Sequence, residues 1–200
     1  MTGPSIPLIA FGIALNLTIG QLTIALKIPL YLDSIGTVLV AVLIGPYAGI
    51  IAGSFANIMA AAFGNPTMMF FIPVVVVIGA FTGFVAGKGW FKRWYLCVIG
   101  GLIQGVLAAT VSAPISSYLF GGTMMAGTDA LVYFFRSMGN TILTSVFYQG
   151  LTSDPVDKTV SYLLVFLILR NLPLRLIGRF KGASNVFQTP ARDDVVRNPR

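Results

Sequence analysis

Long apolar runs, broken by short polar clusters, dominate the chain. Residues 6–26 are apolar apart from Asn16, Thr18, Gln21 and small residues, which is the length of one membrane helix at about 1.5 Å rise per residue. Lys27-Ile28-Pro29 ends that run, and Asp33-Ser34 introduces a second segment to Ile44 that is short for a full crossing. Gly45-Pro46 breaks the chain, 47–63 predicts a third span, Gly64-Asn65-Pro66-Thr67 reads as a turn, and 68–87 predicts a fourth span. Trp94 and Tyr95, placed as interfacial anchors, open a fifth span that is expected to stop near Ala113, ahead of Pro114.

Between Pro114 and Ser153 the pattern is less regular. Gly121-Gly122 and Gly127 interrupt it, but 128–149 is again apolar with a helical period. The last span has its own start signal. Asp154 is expected to act as N-cap, Pro155 to take the first helical position and Asp157 to sit in the positive first turn. That span continues to about Leu176, and a basic tail follows. No positively charged segment precedes the first span, so a cleaved signal peptide is not expected.

Composition sharpens the class. Apolar residues make up 56% of the 200-residue chain, charged residues 10%, and the mean hydropathy is +0.87. A soluble chain carries roughly a quarter charged residues, so this one lacks the polar surface to cover a water-exposed globule. A cytosolic enzyme, a disordered chain and a disulfide-stapled secreted scaffold are all excluded; Cys97 is the sole cysteine. The six acids are all Asp, and there is no His. An ordinary zinc site or a His-based triad therefore cannot be built from this chain, no phosphate-cradling loop is present, and no cofactor or enzymatic activity is expected. ATP-driven work would have to come from a partner.

The pI of 9.9 fits orientation in a lipid bilayer better than nucleic-acid binding, because the cations flank apolar spans. With the N-terminus inside and six crossings, the inner side holds Lys88, Lys92, Arg93, Arg170, Arg175, Arg179, Lys181, Arg192, Arg197 and Arg200, ten of the thirteen cations. A full crossing by 128–149 would place the seven-cation tail opposite the Lys88 loop, against the positive-inside rule. The expected architecture is therefore an all-α polytopic membrane helical bundle. It has six transmembrane helices, an extra membrane-associated helix before the last span, and both termini cytoplasmic. Residues 1–182 form the membrane domain, and 183–200 a basic, disordered tail.

Small residues recur at four-residue spacing in Ala10/Ala14, Gly49/Gly53, Gly79/Gly83/Gly87 and Gly101/Gly105. For the glycine pairs, close packing inside the bundle is the expected role. Polar residues within or beside spans are candidates for chemistry. Asp33, in Tyr31-Leu32-Asp33-Ser34, can either cap the second helix or contact a ligand. Asp129, Tyr133, Arg136, Asn140 and Thr144 fall on one face of a helix over 128–149, opposite Leu131, Phe134, Phe135, Met138 and Ile142. That face is either the wall of a polar small-molecule site or a water-facing interfacial surface. Asn16, Gln21, Asn57 and Asn65 can face a cavity or, as is commoner for such amides, hydrogen-bond between helices, and Met68-Met69 and Met124-Met125 lie in loops that could touch a ligand.

The run 26–37, from Leu26 through Tyr31-Leu32-Asp33-Ser34 to Thr37, is followed by Leu43-Ile44-Gly45-Pro46-Tyr47-Ala48-Gly49. This order resembles the substrate-binding membrane subunits (S components) of energy-coupling factor (ECF) transporters, with Ala10-x-x-x-Ala14 similar to their docking ridge. The resemblance covers nearly the whole chain. It implies a non-enzymatic subunit in a prokaryotic cell membrane that captures a vitamin or similar micronutrient on the outer side. A transmembrane coupling subunit and two ATPase subunits would supply the energy. It points to Tyr31, Asp33, Ser34, Asn65, Thr67, Tyr133, Arg136 and Asn140 as substrate-binding residues, and to Ala10 and Ala14 as the docking surface. A Tyr133/Arg136 wall would suit an anionic or hydrogen-bonding heteroaromatic, with a larger vitamin such as a corrinoid also accommodated. A membrane sensor or assembly module that transports nothing is the alternative. Residues 114–153 exceed what a minimal S component needs.

Overall fold

The computed structural model describes residues 5–123 and 127–186, and these form helices with no strand among them. The principal elements are α1 (Ser5–Ala25), α2 (Ile35–Leu43), α3 (Pro46–Ala62), α4 (Ile72–Gly87), α5 (Trp94–Phe120) and α7 (Ile142–Asn171). Three shorter helices are α6 (Asp129–Ser137), α8 (Leu174–Ile177) and α9 (Ala183–Val186). Three stretches, Ser5–Ala25, Pro66–Gly87 and Trp94–Phe120, are long and apolar enough to cross a membrane. α3 is apolar but shorter, and α7 has the length but carries Asp154, Asp157 and Lys158 in its middle.

The short second segment has a physical explanation. All nine residues of α2 are buried, as a helix that is apolar on every side requires. Enclosed by its neighbours, α2 need not match the thickness of a bilayer.

Small residues set the order of the helices. α1 and α2 approach so closely that a Cβ on Gly36 would overlap the Gly12 carbonyl. Asn16 secures this contact: its Oδ1 accepts from Gly36 N at 2.7 Å and its Nδ2 donates to Thr37 Oγ1 at 2.8 Å. Gly49 and Gly53 of α3 face Ala41 and Thr37, while Gly79 and Gly83 of α4 face Ile50 and Pro46. Gly101 and Gly105 of α5 face Thr159 and Pro155 of α7. The expected packing role of these glycines is thus observed, except at Gly87, which faces open space.

In each pair rising residue numbers meet falling ones, so neighbouring helices run antiparallel. Phe71 stacked on Phe120, with ring centroids 6.1 Å apart, places the start of α4 beside the end of α5. One end of the bundle therefore gathers 26–34, 63–71, 121–123 and 127–141. The other gathers 44–45, 88–93 and 172–186, tied by Arg170 Nη2 to the Lys92 carbonyl at 2.8 Å and by Gly182 N to the Leu43 carbonyl at 2.9 Å. Among the described residues, Lys88, Lys92, Arg93, Arg170, Arg175, Arg179 and Lys181 all lie toward this second end.

Three expected boundaries are corrected. The helix over 128–149 is two helices: α6 ends where Gly139 takes φ +88°, and α7 starts under a Thr141 cap whose Oγ1 accepts from Thr144 N at 3.3 Å. The last span does not begin at Asp154, because α7 runs unbroken through Pro155. α5 likewise continues past Pro114 to Phe120, where Gly121 at φ +65° ends it. Proline is tolerated inside such helices where neighbouring helices enclose the backbone, as Gly105 of α5 does at Pro155. The fourth span begins as a 3-10 stretch, Pro66–Phe71, before α4. Helical order continues past residue 182 to Val186, and residues 187–200, like Met124-Met125, lie outside the described residues.

Candidate functional site

The end of the bundle opposite those seven cations contains a cavity with about 700 Å³ of empty space, the open solvent at its mouth included. Eight elements or loops contribute. Tyr31 and Asp33 come from the α1–α2 loop, Asn57 from α3, and Met68, Phe71, Val74, Val75 and Ile78 from the 3-10 stretch and α4. Ala108, Ser112 and Ser116 come from α5, Gly122 and Asp129 from the loop and start of α6, and Val146, Gln149, Asp154 and Lys158 from α7. The walls are thus apolar with a polar cluster across them, the usual character of a small-molecule site.

Asp157 organises that cluster. Its side chain is fully buried, with Oδ2 2.6 Å from Lys158 Nζ, while Oδ1 accepts from the backbone N–H of Tyr31 at 2.9 Å and of Leu32 at 2.7 Å. Lys158 Nζ also donates to Ser34 Oγ at 3.1 Å and stands 3.7 Å from Asp33 Oδ1. The α1–α2 loop is therefore pinned to α7. It needs pinning, because Leu32 holds φ +50°, a left-handed conformation that costs a non-glycine residue about 1–3 kcal/mol. Tyr31 continues the clasp: its hydroxyl pairs with Thr128 Oγ1 at 2.9 Å and its carbonyl accepts from Thr23 Oγ1 at 2.8 Å. Burial pushes the Tyr31 phenol up, and pushes the Asp33 carboxyl above the ordinary carboxylate range against the pull of Lys158.

The expected site residues divide into three groups. Tyr31, Asp33 and Ser34 meet at the cavity, with Tyr31 and Asp33 on its wall and Ser34 behind them on Lys158. Asp33 does not cap α2; the residue at that position is Ser34, whose side chain makes no capping bond either. Asn65 and Thr67 hydrogen-bond to each other at 2.5 Å in the loop before Met68 and lie off the cavity wall. Tyr133 (63% exposed) and Arg136 lie on the exposed side of α6. Asn140 donates from Nδ2 to the Phe135 carbonyl at 2.9 Å, closing the end of that helix. Of the stripe's members Asp129, at the start of α6, lines the cavity; Tyr133 and Arg136 lie further along the same helix, and the turn at Gly139 separates Asn140 and Thr144 from it. Ala10 and Ala14 are exposed on α1, whose buried face is Ser5, Ile9, Gly12, Asn16, Gly20 and Thr23.

Sequence reasoning missed Asp154 and Lys158 as cavity residues, and treated Asp157 as a helix-start charge. The signal was available: charged residues inside an otherwise apolar span. The adjacent Pro155 moved the helix start onto them instead. Asn57 lines the cavity and bonds to the next span as expected, its Nδ2 donating at 3.1 Å to the carbonyl of Met68 in the 3-10 stretch that opens that span. Among the described residues no group of three or more His, Cys, Asp or Glu could hold a metal ion. Comparison of the chain with protein-family models, with curated proteins and with solved structures gives no match.

Proposed function

We propose that the chain is the substrate-binding membrane subunit of an ECF-type importer, which captures a micronutrient of the vitamin class on the outer side of a prokaryotic cell membrane. The cavity carries this reading: it lies opposite the cationic end of the bundle and is roofed by a strained loop pinned to Asp157 and Thr128. The positive-inside rule puts the end with Lys88, Lys92, Arg93 and the Arg170–Lys181 segment in the cytoplasm. The cavity then faces outward. Six alternating helices, α1 to α5 and α7, cross or fill the membrane thickness, both termini are cytoplasmic, and α6 lies at the outer surface.

Delivery inward would need energy from a coupling subunit and two ATPases, and α1 offers the surface for them. Ala10 and Ala14 sit one turn apart on its exposed face, where small side chains let a second helix approach closely. Ala10→Leu combined with Ala14→Leu is expected to abolish co-purification of the coupling and ATPase subunits while small-molecule binding stays intact. Undiminished assembly in that variant, measured by quantitative mass spectrometry of the purified complex, would refute the docking surface.

The same geometry predicts a weak effect at α6. Tyr133→Ala and Arg136→Ala are expected to leave the affinity for a bound small molecule within about a factor of two, or 0.4 kcal/mol. A tenfold loss in calorimetry would show that α6 closes over the cavity when it is occupied.

A further inference from the structure

We infer that the molecule this cavity takes is a cation, an amine or positively charged heterocycle on an aromatic or aliphatic body, with its charged group held against Asp154. The inference rests on the binding role proposed above and names its substrate class.

Three carboxylates, Asp33, Asp129 and Asp154, line the cavity with one ammonium, Lys158. That ammonium is already engaged by Asp157 at 2.6 Å, Ser34 at 3.1 Å and Asp33 at 3.7 Å. Asp154 is the exception to this pairing. It is 5% exposed, its Oδ1 takes one 3.3 Å hydrogen bond from the neighbouring Ser153 hydroxyl, and no cation stands within ion-pairing distance among the described residues. Lys158, one turn along α7, is shared among other partners, and a buried carboxylate with no counter-charge in contact is costly, a cost that a charge arriving with a ligand relieves.

An anion would meet the reverse situation. It would add like charge to a cavity where carboxylates outnumber the ammonium, and Arg136, the cation expected to receive it, lies exposed on α6. The remaining wall supplies the body of the site. Phe71, Val74, Val75, Ile78 and Val146 are apolar and suit a flat ring or short aliphatic frame.

The test uses three probes with one ring system and three charge states: tryptamine, indole and indole-3-acetate. They are titrated at millimolar concentration against the full chain in detergent, with binding read by calorimetry and by the unfolding temperature. Tryptamine is expected to bind best and to raise the unfolding temperature most. Asp154→Asn, which keeps the side-chain volume, is expected to weaken tryptamine at least tenfold, leave indole unchanged, and unfold no lower than the wild type when empty. Preference for indole or indole-3-acetate, or an unaltered tryptamine affinity in Asp154→Asn, would overturn the cation assignment while the binding role stands. Absence of binding by all three probes would overturn both.

Discussion

Asp157→Ala is expected to lose about 3–5 kcal/mol of stability, the usual cost of stripping one partner from a buried ion pair. Lys158, 4% exposed, would lose its 2.6 Å counter-ion, and the backbone N–H groups of Tyr31 and Leu32 would lose their acceptor. The α1–α2 loop, with Leu32 at φ +50°, would then have little to hold it over the cavity. Asp157→Asn with Lys158→Met separates the two effects. It removes both charges but keeps an acceptor for the loop, so most of the stability is expected to return. Unfolding in mixed micelles with increasing denaturing detergent measures all three proteins. A double variant no more stable than Asp157→Ala would sink the claim that the ion pair is the main loss.

The second large effect is expected at Gly105. A Cβ there would overlap the Pro155 backbone and also crowd the Asp154 carbonyl carbon. Overpacking a core with extra methylenes costs about 1–3 kcal/mol when side chains can adjust. Here the obstacle is main chain, so Gly105→Leu must push α5 from α7 and carry Asp154 and Lys158 away from the α1–α2 loop. Loss of both monodisperse protein and cavity binding is expected. Gly87→Leu is the matched control, since Gly87 faces open space, and its effect should stay within about 0.5 kcal/mol. Equal tolerance of both substitutions would mean that the α5–α7 contact does not set the cavity.

Much of the helix order was legible in the sequence because apolar runs and turn residues coincide. Ser5–Ala25, Ile35–Leu43 and Pro46–Ala62 match the first three expected segments to within a few residues, each bounded by Pro, Gly or a charge. Pro114 and Pro155 read locally as boundaries, yet both sit inside continuous helices; Pro155 is packed against Gly105 of α5, whereas Pro114 is exposed. The boundary expected at Pro155 hid the site's most heavily used element. Once α7 extends from Ile142, Gln149, Asp154 and Lys158 come onto one cavity wall. Gly139 interrupts an apparently continuous polar stripe: its turn separates Asn140 and Thr144 from α6, the helix that carries Asp129, Tyr133 and Arg136. Asp33 stood in the sequence as either a helix cap or a ligand contact, and Tyr31 entered only through the resemblance; both line the cavity.

The measurement that tests the central claim most directly is extraction of whatever the protein carries. Full-length protein is purified in detergent from cells grown in rich medium and denatured, and the released small molecules are identified by mass spectrometry. A near-stoichiometric micronutrient is the predicted result. A cavity that is empty after purification, and stays empty when a panel of vitamins is added back, would contradict the capture role and favour a membrane sensor or assembly module.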